Sequence, residues 1–172
     1  MVNKTWWSRL ARTISGFAAL WFSPATTQAD PPENWQFLSF DKARQQSIEQ
    51  GRRMFVYFGR HGCPTCARVN RESFTDKRVF ERFNNNYVLA YVDSESGERL
   101  KLPSGERVTE MDLGIRHKIV GTPYFFFMDP DGTTILSFPG YISADQFLAL
   151  DVFVDGEHYK TRTLEQFINE NS

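Results

Sequence analysis

Cys63 and Cys66, the only cysteines in the 172-residue chain, stand three positions apart in "RHGCPTCARV". Thiols at this spacing can exchange disulfides with a partner, bind a soft metal ion, or close a small structural loop. Exchange requires two sulfurs with different settings, and the flanking residues supply them. The run "MFVYFG" (54–59) has the β-branched and aromatic character of a strand, and "GRHG" is a short loop. Cys63 then falls at the opening of a helix, with Pro64 at the first helical position, where no N–H is needed. Unpaired N–H groups and the positive end of the helix dipole favour a thiolate there. Cys66, one turn on, shares that face and is expected to be enclosed, with Cys63 exposed. In this arrangement Cys63 attacks a partner's disulfide and Cys66 resolves the mixed disulfide. His61, Gly62, Pro64 and Thr65 complete the active-site loop.

The useful activation is limited. Lowering a thiol pKa from about 8.5 to about 7 raises the thiolate fraction at pH 7 from roughly 3% to roughly 50%. The weaker nucleophile returns about fivefold of that, for a net gain of about threefold. His61 and Arg60 would lower the pKa further if they approached the sulfur. A purely structural disulfide would close a very short loop, where chain entropy gives least stabilisation. A metal site would draw on His61, Cys63 and Cys66, but His117 and His158 are distant in sequence and no second ligand pair shows zinc spacing. Copper(I) needs fewer ligands, so copper or zinc delivery through the same cysteines stays open as an alternative of a different class.

The elements that must position this pair alternate along the chain. "DKARQQSIEQG" is predicted to be a helix capped by Asp41 and stopped by Gly51, followed by the "MFVYFG" strand, central because both its faces are apolar. "TDKRVFERF" offers a Thr75 or Asp76 cap with Val79, Phe80 and Phe83 at helical spacing, and "YVLAYVD" a further strand. The polar segment near 94–108 is predicted to be an inserted, solvated hairpin or loop turning at Pro103-Ser104-Gly105. "EMDLGIRHKI" is predicted helical, and "PYFFFMD" and "TTILSF" form a strand hairpin across "PDG". Capping boxes at Ser143/Gln146 and Thr163/Gln166 open the last two helices, the second a short C-terminal one. The order is that of an α/β fold, a mixed sheet covered by helices.

Composition and the chain's opening set the compartment. The 26 aromatics and 41% apolar residues provide material for one packed core, and the length fits one domain of about 100–200 residues. Residues 1–29 carry Lys4, Arg9 and Arg12 with no acid, an apolar stretch from Ile14 to Phe22, and small residues Thr27 and Ala29. This is the pattern of a cleaved signal peptide, because the apolar stretch is roughly half the ~20 residues that a spanning helix needs. The domain therefore spans 30–172. Export implies the bacterial periplasm, where a cysteine pair persists as a disulfide. The formal charge of -1 gives no reason to expect a nucleic-acid partner.

A strand, a CxxC opening a helix, and a downstream "VGTPYFFFMD" resemble the thioredoxin fold. The resemblance implies that Pro123 is cis beside the cysteines and that the Thr122 backbone pairs with an extended substrate segment. It also implies that Gly140 lines the same groove. The run from "GERVTEMDLGIRHKIVGTPYFFFMDPDG" through "EHYKTRTLEQFI" is similar to the SoxW-type periplasmic thioredoxins. That similarity implies a monomeric reductant of client-protein disulfides, using no cofactor beyond its own Cys63–Cys66 disulfide. It also implies electrons from a membrane transporter of the DsbD or CcdA kind, with an oxidase or isomerase of the same fold as the variant within the class. Two residues depart from the thioredoxin pattern: "RHGC" lacks the tryptophan before the first cysteine, and Tyr57 stands where many thioredoxins bury an aspartate.

Overall fold

The computed structural model describes residues 30–171, so the expected signal segment, 1–29, lies outside the described residues. The elements run β1 (Leu38–Ser39), α1 (Phe40–Gln50), β2 (Met54–Gly59), α2 (Pro64–Glu72), α3 (Lys77–Asn86), β3 (Val88–Asp93), β4 (Arg99–Lys101) and β5 (Arg107–Thr109). They continue through α4 (Glu110–Arg116), β6 (Tyr124–Met128), β7 (Thr134–Pro139), α5 (Ala144–Asp155), a 3-10 turn at His158–Lys160, and α6 (Leu164–Asn171). Five strands form one sheet in the order β1-β3-β2-β6-β7, while β4 and β5 make a separate hairpin. β1 and β2 run parallel to β3, β6 runs antiparallel to β2, and β7 antiparallel to β6. This is the mixed sheet flanked by helices that the sequence pattern implies.

Strand β2 is central because every one of its residues is buried. Successive side chains of a strand point to opposite faces, so its apolar run feeds two cores. Phe55 and Tyr57 join Phe125 and Phe127 of β6 in a core covered by Val69 of α2, Val79 and Phe83 of α3, and Phe147 and Phe153 of α5. On the other face, Met54, Val56 and Phe58 join Phe126 and Met128 beneath Phe40 and Ala43 of α1 and Leu113 of α4. Burying one phenylalanine of this kind is worth about 2–3 kcal/mol. Tyr124–Phe127 is thus sheet rather than binding surface.

Local signals set most boundaries, with two corrections. Gly51 ends α1 in the left-handed region (φ 62), where a residue without a Cβ fits. Asp41 is not its cap: Ser39 is the N-cap residue, and Asp41 sits in the first turn, accepting from the Ser39 hydroxyl (2.7 Å) and the Lys42 amide (2.9 Å). Phe40, buried under the sheet, draws the cap back by two residues, from Asp41 to Ser39. Asp76 caps α3, Thr109 and Asp112 form a capping box on α4, and the Ser143/Gln146 and Thr163/Gln166 reciprocal bonds are present. The second correction concerns the 94–108 insertion. It is a hairpin, but not a wholly solvated one, because Leu100 and Val108 are buried in the second core while their neighbours face outward.

His117, at the end of α4, packs its ring against Phe126 (5.1 Å between centroids) and Phe58 (5.5 Å). Burial holds its pKa below the ordinary histidine value. The unfolded chain therefore takes up this proton first on acidification: the contribution is complete above about pH 6.5 and is lost as pH falls below it toward the folded value. Glu110, whose carboxyl is pushed up by burial, acts with the opposite sign in the carboxylate range. We expect the melting temperature of His117→Phe to fall less than that of the parent between pH 7.5 and 5.5; equal decreases in thermal melts would refute this.

Candidate active site

Cys63 is the N-cap residue of α2 and Pro64 occupies the first helical position. The Cys66 amide donates to Cys63 Sγ at 3.1 Å, so the sulfur takes the place of the usual side-chain oxygen acceptor at a helix start. The Cα atoms lie 5.2 Å apart and the two sulfurs are joined in a disulfide. Cys66 is fully buried, as its resolving position requires. Cys63 is not the exposed nucleophile expected from sequence, being only 2% exposed. Its sulfur is turned toward Cys66, and the Thr122 carbonyl oxygen stands 3.4 Å away on another side.

The carbonyl arrives there through strand pairing. Phe58 of β2 faces Tyr124 of β6 in the antiparallel register, so the loop leaving β2 and the segment entering β6 lie side by side. The Thr122–Pro123 peptide bond is cis. Gly140, in the left-handed region (φ 81), donates its amide to the Pro123 carbonyl at 2.8 Å. The structure thus brings Cys63, Cys66, Thr122, Pro123 and Gly140 into one chain of contacts. His61 and Gly62 are exposed on the preceding loop, Gly62 with φ 68, and Thr65 is half-buried on α2.

Two contacts act on the sulfur with opposite sign. The Cys66 N–H favours a thiolate, whereas the Thr122 oxygen favours the thiol, which can donate to it in the reduced protein. Arg60 adds little to the first effect, because its guanidinium pairs with Glu95 at 3.5 Å. Beneath the site, Tyr57 is fully buried, its ring 5.0 Å from Phe125 and 5.2 Å from Tyr91. Burial, reinforced by the Asp30 carboxylate, pushes its hydroxyl pKa well above the ordinary tyrosine value. A phenol that stays protonated at neutral pH cannot accept the Cys66 proton. Among the described residues, no three His, Cys, Asp or Glu side chains converge as a metal-ion cage.

Sequence reasoning missed a neighbouring surface. A groove of about 500 Å³ adjoins Thr122, lined by Met111, Ile115 and Val120 together with the polar Arg60, Ser94 and Glu95. The one local signal was the apolar pair Met111 and Ile115, four apart on α4 and therefore on one face.

A CxxC disulfide capping a helix against a cis-proline segment, on this sheet order, defines a thioredoxin-fold dithiol protein. The family model described as "Thioredoxin-like domain" matches residues 40–153, and the chain belongs to that family. Among solved structures, a thioredoxin-fold protein from Helicobacter pylori superimposes with a TM-score of 0.64 at 21% identity, over 70% of this chain and 84% of that one. A thioredoxin from Thermus thermophilus superimposes with a TM-score of 0.58 at 23% identity, over 70% and 87%. A protein of Archaeoglobus fulgidus described as uncharacterized is 31% identical over 68 residues, 40% of this chain and only 52% of that relative's length. These likenesses show the thioredoxin-like family and its fold.

The end of β2 is held by close packing. Gly59 accepts both the Ser94 amide and hydroxyl at 2.9 Å, and a Cβ on it would lie 2.7 Å from Tyr91 Cε2 and 2.8 Å from its oxygen. Gly59→Ala is expected to cost about 1–3 kcal/mol through this overlap. Adding Tyr91→Leu should return part of the loss, so a double-mutant cycle by denaturant titration checks it; additive losses would refute the contact.

Proposed function

We propose that this protein is an exported, periplasmic thiol–disulfide oxidoreductase that reduces disulfides in partner proteins through Cys63 and Cys66. The observation that carries the reading is Cys63 Sγ at the N-terminus of α2, 3.1 Å from the Cys66 amide and 3.4 Å from the Thr122 carbonyl. The helix-start amide favours a thiolate there against the opposing pull of the Thr122 oxygen, and the sulfur lies beside backbone that an extended client segment can pair with. The Cys63 thiolate attacks one client sulfur, the client S–S bond breaks, and its second sulfur leaves as a thiolate that is protonated by water. The Cys66 thiolate then attacks Cys63 Sγ, the mixed disulfide breaks, and the client's first sulfur leaves. Two electrons pass to the client and the protein is left with the Cys63–Cys66 disulfide. Recharging requires a dithiol donor, for which a membrane electron transporter of the DsbD or CcdA kind fits the SoxW-type resemblance. The expected signal peptide of residues 1–29 supports the compartment, and a monomer suffices for every step.

Replacing Cys66 by Ala in the native cell should trap both the client and the electron donor as mixed disulfides on Cys63, visible as bands that disappear on reduction. A Cys66→Ala protein with no adduct would sink the exchange mechanism. The reduction potential of the parent is expected near about -270 mV, as in reductants, and a value near about -120 mV would assign an oxidant instead.

A further inference from the structure

Helix α2 is tied to the segment after β7 at its far end as well as near the cysteines. Ser73, its fully buried C-cap residue, donates its hydroxyl to the Ile142 carbonyl at 2.6 Å. Tyr141, next to it in sequence, is gripped by two residues of α2. Its hydroxyl donates to Glu72 Oε2 at 2.9 Å, and Arg68 Nε donates to the same oxygen at 2.9 Å. The Arg68 guanidinium also lies over the tyrosine ring, 3.9 Å from its centroid. An exposed Arg–Glu pair one helical turn apart contributes little by itself. Here the pair holds an aromatic ring by its face and by its hydroxyl, so three side chains share one geometry.

These contacts close a circuit. Tyr141 follows Gly140, whose amide holds the Pro123 carbonyl at 2.8 Å, and Pro123 follows Thr122, whose carbonyl stands 3.4 Å from Cys63 Sγ. One side of the circuit is α2 itself, from its N-cap sulfur to its last turn. A thiol is a weak donor, so the sulfur–carbonyl contact is the softest link and the stiffer ones set its length.

We propose that Tyr141 is a positioning residue for the exchange reaction: clamped by Arg68 and Glu72, it holds the Thr122 carbonyl against Cys63 Sγ and so tempers the thiolate that the helix start favours. Its path to the sulfur runs through Gly140, Pro123 and Thr122. Without the clamp the segment relaxes from α2, the oxygen withdraws, and the Cys66 N–H acts on the sulfur unopposed. The proposal rests on the exchange reading and adds to it a residue that tunes the nucleophile.

The test follows the ultraviolet absorbance of the Cys63 thiolate against pH in the full chain carrying Cys66→Ala, which leaves Cys63 as the single cysteine and keeps the amide at position 66. Glu72 stays ionised through this titration, because the bond from Arg68 and then that from Tyr141 hold its carboxyl below the ordinary range. Neither Tyr141→Leu nor Tyr141→Phe alters the formal charge at neutral pH. Tyr141→Leu should lower the Cys63 midpoint by about 0.5, an about threefold loss of proton affinity. Tyr141→Phe, which keeps a ring under Arg68, should lower it by less, and Ser73→Ala, which frees Ile142, should shift it the same way. A Tyr141→Leu protein that melts earlier but titrates at the parent's midpoint has lost only stability, and that result overturns the proposal. A midpoint that rises overturns it too. If Tyr141→Leu does not fold, the nearly isosteric Tyr141→Phe decides by the same sign. The reduced two-cysteine parent is assayed separately on hydroxyethyl disulfide: an inert parent overturns the exchange reading, whereas the midpoint comparison judges the clamp alone.

Discussion

The antiparallel register of β2 on β6 is the constraint on which the site depends. Phe58 opposite Tyr124 and Tyr57 opposite Phe125 place the penultimate residue of β2 beside the first of β6. The two loops that leave that end carry Cys63 and Thr122, 59 positions apart in sequence and 3.4 Å apart in space. Register is protected because a slip of one residue would exchange the faces of Phe55 and Tyr57 with those of Met54, Val56 and Phe58. Each set fills its own core, so a slip would place large rings where small ones fit and open voids behind them. The aromatic density of the sheet therefore fixes the position of two atoms that no local interaction could hold together.

The setting of Cys63 follows from the same geometry. The helix start supplies an amide at 3.1 Å and a favourable dipole, and the opposing strand supplies a carbonyl oxygen that acts against them. Neighbouring charges hardly enter, since Arg60 is committed to Glu95 and His61 lies exposed on the loop. Reactivity at this sulfur is thus set mainly by backbone groups, which move little with salt or pH. The buried tyrosine at position 57 removes the internal carboxylate that many thioredoxins place below the pair. The Cys66 proton must then leave by another route than the Tyr57 hydroxyl, which burial keeps protonated.

Strands, caps and the cysteine pair were legible in the sequence because each is written in adjacent residues. "MFVYFG" is apolar at both parities, Pro64 follows Cys63 directly, and Ser143 and Gln146 are three apart. What escaped depends on residues that meet only after folding. The burial of Cys63 comes from a carbonyl on a distant segment, and the anchoring of the 94–108 hairpin from Leu100 and Val108 meeting a core they do not adjoin in sequence. Ser39 rather than Asp41 begins α1 because Phe40 is needed in that core, a tertiary demand that overrides local preference. The groove beside Thr122 draws on α4, the segment before Pro123 and the loops after β2 and β3, so no window of sequence contains it.

Thr122 also bears on how open the sulfur is. With Cys63 only 2% exposed, its Sγ is bonded to Cys66 on one side and faces the Thr122 carbonyl at 3.4 Å on another. The helix start that caps with this sulfur and the strand register that brings Thr122 to it therefore act on the same atom, one through an N–H and the other through an oxygen. A change in either element would alter the setting of Cys63 without touching the cysteine itself.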